Sequence, residues 1–251
     1  MKREELLQAA KPILFNTDMV RAILDGRKTM TRRVIKPQPK MILCYTFAGC
    51  GCEKWGYPDK NAYEYWGDEY KRTVELSQED EKRMWTPPYH TDDILYVRET
   101  WNICNMCSDG NTIVFIYKAD KSEKDSAMEV RVSDELYDKY ERSMAENNPD
   151  WRPSIHMPKE AARIFLKVTD VRVDRLQEIT KDQARAEGCD GRCECPSSGT
   201  EGNLSCVTRD FSIEKFGTVW NSTIKVSDLE RYGWDANPWV WVIEFERVVG
   251  E

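Results

Sequence analysis

The densest run of reactive side chains in the sequence is Gly26-Arg27-Lys28-Thr29-Met30-Thr31-Arg32-Arg33. It sets an amine and two hydroxyls among three guanidinium groups. Lys28 stands three positions before Thr31, close enough for a lysine to act on a hydroxyl where the chain folds back. Residues 21–40 carry seven Lys/Arg (Arg21, Arg27, Lys28, Arg32, Arg33, Lys36 and Lys40) against one acid, Asp25. That window is +6 in a chain of net charge −7, leaving −13 for the remainder. A cationic island in an acidic protein fits an anionic ligand, and a solvated basic turn is the plainer alternative.

A second set of reactive residues is the cysteines. Cys104-x-x-Cys107 has zinc-knuckle spacing, and Cys189, Cys193, Cys195 and Cys206 share one Gly-rich stretch. Cys104, Cys107, Cys193 and Cys195 are the candidate ligands of a structural zinc ion. The spacing does not decide which four would join, and free loop thiols are the alternative. No other cofactor is required by the sequence. Arg98 and Trp101 lie on a strand-like pattern and are secondary candidates for holding a nucleotide, together with Arg27, Arg32 and Arg33. His90 and His156 are the only histidines. Two isolated histidines and no evident acid–base pair make a ribonuclease less attractive.

The elements that must position these residues follow from periodicity and punctuation. Residues 13–15 read as a buried strand, and Asn16-Thr17-Asp18 offers N-cap chemistry. Val20, Ile23 and Leu24 follow at helical spacing up to Gly26, a C-terminal cap. The basic run therefore begins where a short helix stops, and residues 31–35 leave that corner as a strand. Residues 92–101 and 112–117 are β-rich, with Cys104 and Cys107 in the turn between them. Residues 162–173 and 239–249 read as long strands, with Trp239 and Trp241 in the core. Thr180 caps a helix running to Glu187, closed by Gly188, and residues 211–224 form an amphipathic helix. Residues 119–150, including a helix-capable stretch at 133–146, read as a solvated excursion. Residues 41–90 are aromatic and charged without sustained period, and 189–209 are loop-like.

This order of scattered strands and few helices argues against a doubly wound parallel sheet. It predicts an α+β fold: a small mixed β-barrel with short helices, one domain over residues 1–251, and insertions at about 41–90, 119–150 and 189–209. No stretch approaches the roughly 20 apolar residues of a membrane span. The polar start reads as lacking a secretory leader, so a cytoplasmic protein with reduced thiols is expected. Net acidity disfavours wholesale binding to duplex DNA, while leaving room for a nucleotide or single-stranded end in one basic pocket.

With strands and basic corner placed, the sequence resembles the ASCH domain family of PUA-like β-barrels. The matching pieces are residues 15–33, Asp93-Ile94-Leu95-Tyr96-Val97-Arg98-Glu99, residues 166–173, Thr180 through Gly188, and 239–248. More narrowly it is similar to phage and prophage ASCH proteins. Those carry segments like Trp151-Arg152-Pro153-Ser154-Ile155-His156-Met157-Pro158 and Trp234-Asp235-Ala236-Asn237-Pro238-Trp239-Val240-Trp241. The resemblance implies work on RNA or a modified nucleoside or nucleotide. Some members of the family are amidohydrolases that deacetylate acetylated cytidine through a Lys, a Thr and a Glu. Carried over, these fall on Lys28, Thr31 and Glu187.

Such chemistry needs a nucleophile and a proton shuttle, with Thr31 attacking and Lys28 as its base. Burial and neighbouring arginines would favour a neutral Lys28, while a nearby Glu187 would oppose that. The length and three insertions depart from the small family enzymes and bear on the substrate. The alternatives are a non-catalytic RNA- or nucleotide-binding module and a phage accessory protein that engages a protein partner.

Overall fold

A computed structural model of the chain describes residues 2–36, 38, 41–44, 52–55, 87–108, 111–120, 127–146, 150–191 and 210–248. In chain order the first elements are α1 (Arg3–Ala9), β1 (Lys11–Leu14), α2 (Thr17–Leu24), β2 (Met30–Val34), β3 (Met41–Cys44) and β4 (Cys52–Trp55). Then come β5 (Ile94–Arg98), β6 (Trp101–Cys107), β7 (Thr112–Tyr117), β8 (Met128–Arg131) and α3 (Asp134–Glu146). The last are β9 (Phe165–Arg175), α4 (Lys181–Ala186), α5 (Ser212–Thr223), α6 (Leu229–Tyr232) and β10 (Trp239–Val248).

The strands hydrogen-bond in the orders β1-β5-β9-β10-β2, β3-β4 and β6-β7-β8. This is a mixed α+β fold with short helices, as the pattern of elements predicts. Only β1 and β5 among the registered pairs run parallel; β5 with β9 and β10 with β2 are antiparallel. Among the described residues no helix is long and apolar enough to cross a membrane.

The fold groups into two compact units. Unit 1 comprises Met1–Thr29, Thr91–Thr169 and Phe245–Glu251; unit 2 comprises Met30–His90 and Asp170–Glu244.

In unit 1, α2 starts where the Asn16 side chain accepts the Met19 N–H at 2.9 Å, and Val20, Ala22 and Ile23 face inward. The core of this unit centres on Trp101, whose ring lies 5.7 Å from Phe115 and 5.5 Å, edge-on, from Tyr140. Tyr137 and Tyr140 of α3 and Val130 of β8 belong to the same core. The reading of 119–150 as a solvated excursion is therefore corrected. Its high charge sits on one face of α3, while the tyrosines on the other are each worth about 2 kcal/mol of burial. Cys104 and Cys107 also stand in strand β6 rather than in a turn. A register shift between Ile103 and Asn105 interrupts the two-residue alternation by which a strand is recognised.

In unit 2, Met30, Leu176, Ile179, Phe216, Trp220, Val240 and Val242 form the core. Helix α5 supplies Phe216 and Trp220, and the Trp234 ring meets Phe216 edge-on at 6.0 Å.

Candidate functional site

The basic motif leaves the surface after its first arginine. Arg27 is exposed and pairs with Asp25 at 2.9 Å. Lys28, Thr31 and Arg32 are 2%, 4% and 4% exposed. The plainer alternative, a solvated basic turn, fits none of these three. The cause is local. Gly26 adopts φ 72°, and the N–H groups of both Arg27 and Lys28 then donate to the Ala22 carbonyl, at 2.8 and 3.0 Å. The chain thus folds back over the end of α2 and turns Lys28 inward. In unit 1 the Lys28 ammonium lies 5.5 Å from the centre of the Phe15 ring, which packs on Phe245 at 6.1 Å.

Strand β2 carries the rest of the motif in unit 2. Thr31 stands opposite Ile243 and Arg32 opposite Val242 on β10. The Arg32 guanidinium donates through Nη2 to Gln183 Oε1 at 2.9 Å and through Nη1 to Glu187 Oε1 at 3.3 Å. Its plane lies 5.8 Å from the Phe216 ring centre. Burial pulls the Arg32 pKa down, and the charge and hydrogen bond of Glu187 push it back up. Arg33 is partly buried, and burial likewise lowers its pKa.

Helix α4 explains why Arg32 is held so firmly. Thr180 and Gln183 form a capping box: Thr180 Oγ1 accepts the Gln183 N–H at 3.2 Å, and Gln183 Oε1 accepts the Thr180 N–H at 3.1 Å. The same Gln183 oxygen accepts from Arg32. Glu187, four residues on and on the same helix face, takes the other arm of the guanidinium. Gly188 then ends the helix at φ 91°. One short helix therefore grips one arginine at both ends. Thr180-x-x-Gln is legible as a cap in the sequence; its second function as an arginine acceptor is not.

Of the other candidates, Arg98 is partly buried and donates to the Ile155 carbonyl. Trp101 is fully buried, so its ring offers no open face for stacking a base. Cys104 and Cys107 are free and exposed, and Cys193 and Cys195 lie outside the described residues. Among the described residues no three or more His, Cys, Asp or Glu are grouped to hold a metal ion. His90 and His156 are exposed.

Sequence reasoning overlooked a second buried ionic cluster, in unit 1. Arg163 donates to both oxygens of Glu99, each at 2.9 Å, and to both of Asp120, each at 2.8 Å. Its guanidinium stacks 3.9 Å from the Tyr117 ring centre. Burial raises the Glu99 pKa, against the pull of Arg163. No spacing in the sequence signals this, because the three ionic residues come from separate stretches.

No family model matches the chain, and no curated protein or solved structure does so either.

Proposed function

We propose that this protein is an ASCH-type protein built on a PUA-like barrel, directed at RNA or a modified nucleoside, and that it deacetylates acetylated cytidine. One observation carries the reading. Lys28 is buried in unit 1, and Thr31, Arg32 and Glu187 are buried in unit 2, where Arg32 bonds Glu187. Burying an amine, a hydroxyl, a guanidinium or a carboxylate costs several kcal/mol unless each is paired, so each of these residues is a candidate for chemistry.

In this reading Thr31 Oγ attacks the acetyl carbonyl carbon, and Lys28 takes the hydroxyl proton. The tetrahedral intermediate collapses, the C–N bond breaks, and Lys28 returns the proton to the departing exocyclic amine. Water then cleaves the acyl-threonine ester, releasing acetate and restoring the hydroxyl. Glu187 orients the lysine or binds the base edge, and Arg32 with Gln183 acts through Glu187 as a positioning pair. Arg27 and Arg33 supply positive charge for a phosphate. Incubation with acetylcytidine, read as cytidine and acetate released, tests this. Wild type should turn over, and Lys28→Ala and Glu187→Gln should each lose about a hundredfold or more. Equal rates for Lys28→Ala would remove the lysine from the mechanism.

A non-catalytic nucleotide-binding module is the second reading. In it Gln183 and Glu187 hold Arg32 in a structural ion pair, and the exposed Arg27 supplies the charge that meets the ligand. Binding of cytidine nucleotides with no turnover of acetylcytidine by wild type is its signature.

A further inference from the structure

Phe15 and Lys28 flank α2 in the sequence and meet in space. The chain enters the helix from Phe15 and leaves it through the Gly26 turn, where the Arg27 and Lys28 N–H groups both bond the Ala22 carbonyl. That turn sends the chain back over the end of the helix. The Lys28 ammonium comes to lie over the Phe15 ring, 5.5 Å from its centre. Both residues are nearly closed to water, Lys28 at 2% and Phe15 at 3% exposure.

The two partners are pinned within unit 1. The Phe245 ring packs on Phe15 at 6.1 Å, with the planes inclined at 53°. The Phe15 N–H donates to the carbonyl of Arg98 in β5 at 3.2 Å. The N–H of Phe245, in β10, donates to the Thr29 carbonyl at 2.8 Å. One strand therefore anchors the ring under the amine. Another anchors both the second ring and the residue that follows the lysine.

An aromatic face carries negative potential and attracts a cation within about 6 Å of its centre, more strongly where water is excluded. It does little for a neutral amine. Burial alone acts the other way, because it disfavours the ammonium. An aliphatic wall would exclude the same water and return nothing to the charge. We propose that Phe15 is a positioning residue for Lys28: its ring face holds the ammonium that forms when the amine takes the Thr31 proton. The attraction fades as Lys28 passes that proton to the departing exocyclic amine and becomes neutral again. This rests on the deacetylation reading and deepens it by naming a group that steadies the charged state of the base. Phe15 meets no reacting atom in this account and acts through Lys28.

The test is a pH titration of Lys28 in the full chain, followed by NMR of lysine labelled with 13C at Cε, with Lys28→Met to assign the signal. Phe15 is replaced by phenylalanines carrying one, two and three fluorines, which nearly keep the shape of the ring and successively weaken its negative face. The midpoint of the Lys28 titration should fall in that order, by about half a pH unit or more across the series. A ring that only fills space would leave it in place. The same replacements at Phe245 should move the midpoint clearly less. With acetylcytidine, the acid limb of kcat/KM should shift to lower pH along with the midpoint. A midpoint that stays or rises through the series, or one that responds equally to fluorinated Phe245, would overturn the proposal. The titration needs no turnover. A wild type that releases no acetate would therefore sink deacetylation, while the midpoint still decides whether Phe15 holds the ammonium.

Discussion

Arg32 and Glu187 are 155 residues apart in sequence and meet at 3.3 Å, with side chains 1% and 4% exposed. So deep an ion pair stabilises little on balance, because the desolvation of both groups offsets their attraction. Removing one partner is another matter. Arg32→Met or Glu187→Met removes one member of a buried pair, and each should destabilise the protein by about 3 kcal/mol. The double variant should lose less than the sum of the two. Chemical denaturation of all four proteins measures this, and strict additivity would mean that the two side chains do not act on each other.

The same reasoning applies to Arg163 in unit 1, which answers two carboxylates at once. Arg163→Met strands Glu99, 1% exposed, and should cost about 3–5 kcal/mol. Glu99→Gln keeps an acceptor for Arg163 and removes the buried charge, so its cost should be clearly smaller. Thermal melts of the two variants side by side check the order.

Gly217 sits in the middle of α5, where alanine would ordinarily add about 1 kcal/mol of helix propensity. Here a Cβ would meet Trp234 Cδ2 at 3.1 Å and Cγ at 3.3 Å. The ring also packs edge-on to Phe216, so it has little room to retreat. Overpacking of this kind costs about 1–3 kcal/mol. Gly217→Ala should therefore lower the melting temperature, and an increase would show that Trp234 moves freely.

Acid should weaken unit 2 partly through Asp210. Its Oδ1 accepts the Ser212 N–H at 2.9 Å at the start of α5, and its Oδ2 takes Arg185. These contacts, the Ser212 hydrogen bond first, hold its pKa below the usual aspartate value. A depressed carboxylate stabilises the fold above its unfolded pKa, and that contribution disappears as pH falls through the folded one. Melting temperature against pH should fall less steeply for Asp210→Asn than for wild type at the acid end. Parallel curves would remove Asp210 from the acid response.

How much of this was legible in the sequence depended on whether a residue's environment is local. Asn16, Gly26, Thr180 and Gly188 act on their own neighbours, so α2 and α4 were readable with their ends. Strand β10 announces itself by a long apolar run, and β9 by valines that recur between polar residues. Helix α1 buries only Leu6, too little to show a period. The tyrosines of α3 and the short β8 hide among charges, and the register shift in β6 disguised a strand as a turn. At the site, Lys28, Thr31 and Glu187 could be nominated by chemistry and resemblance. Their burial, the grip of Gln183 on Arg32, and the hold of Arg163 on Glu99 and Asp120 depend on contacts between distant segments, which no local pattern encodes.

Thr31, the proposed nucleophile, is tested most directly by Thr31→Val. The substitution removes the hydroxyl and nearly preserves the shape. With acetylcytidine, kcat should fall roughly a thousandfold or more, while Kd measured by calorimetry changes by less than about threefold. A variant that turns over at the wild-type rate, or a wild type that binds acetylcytidine without releasing acetate, would contradict the account.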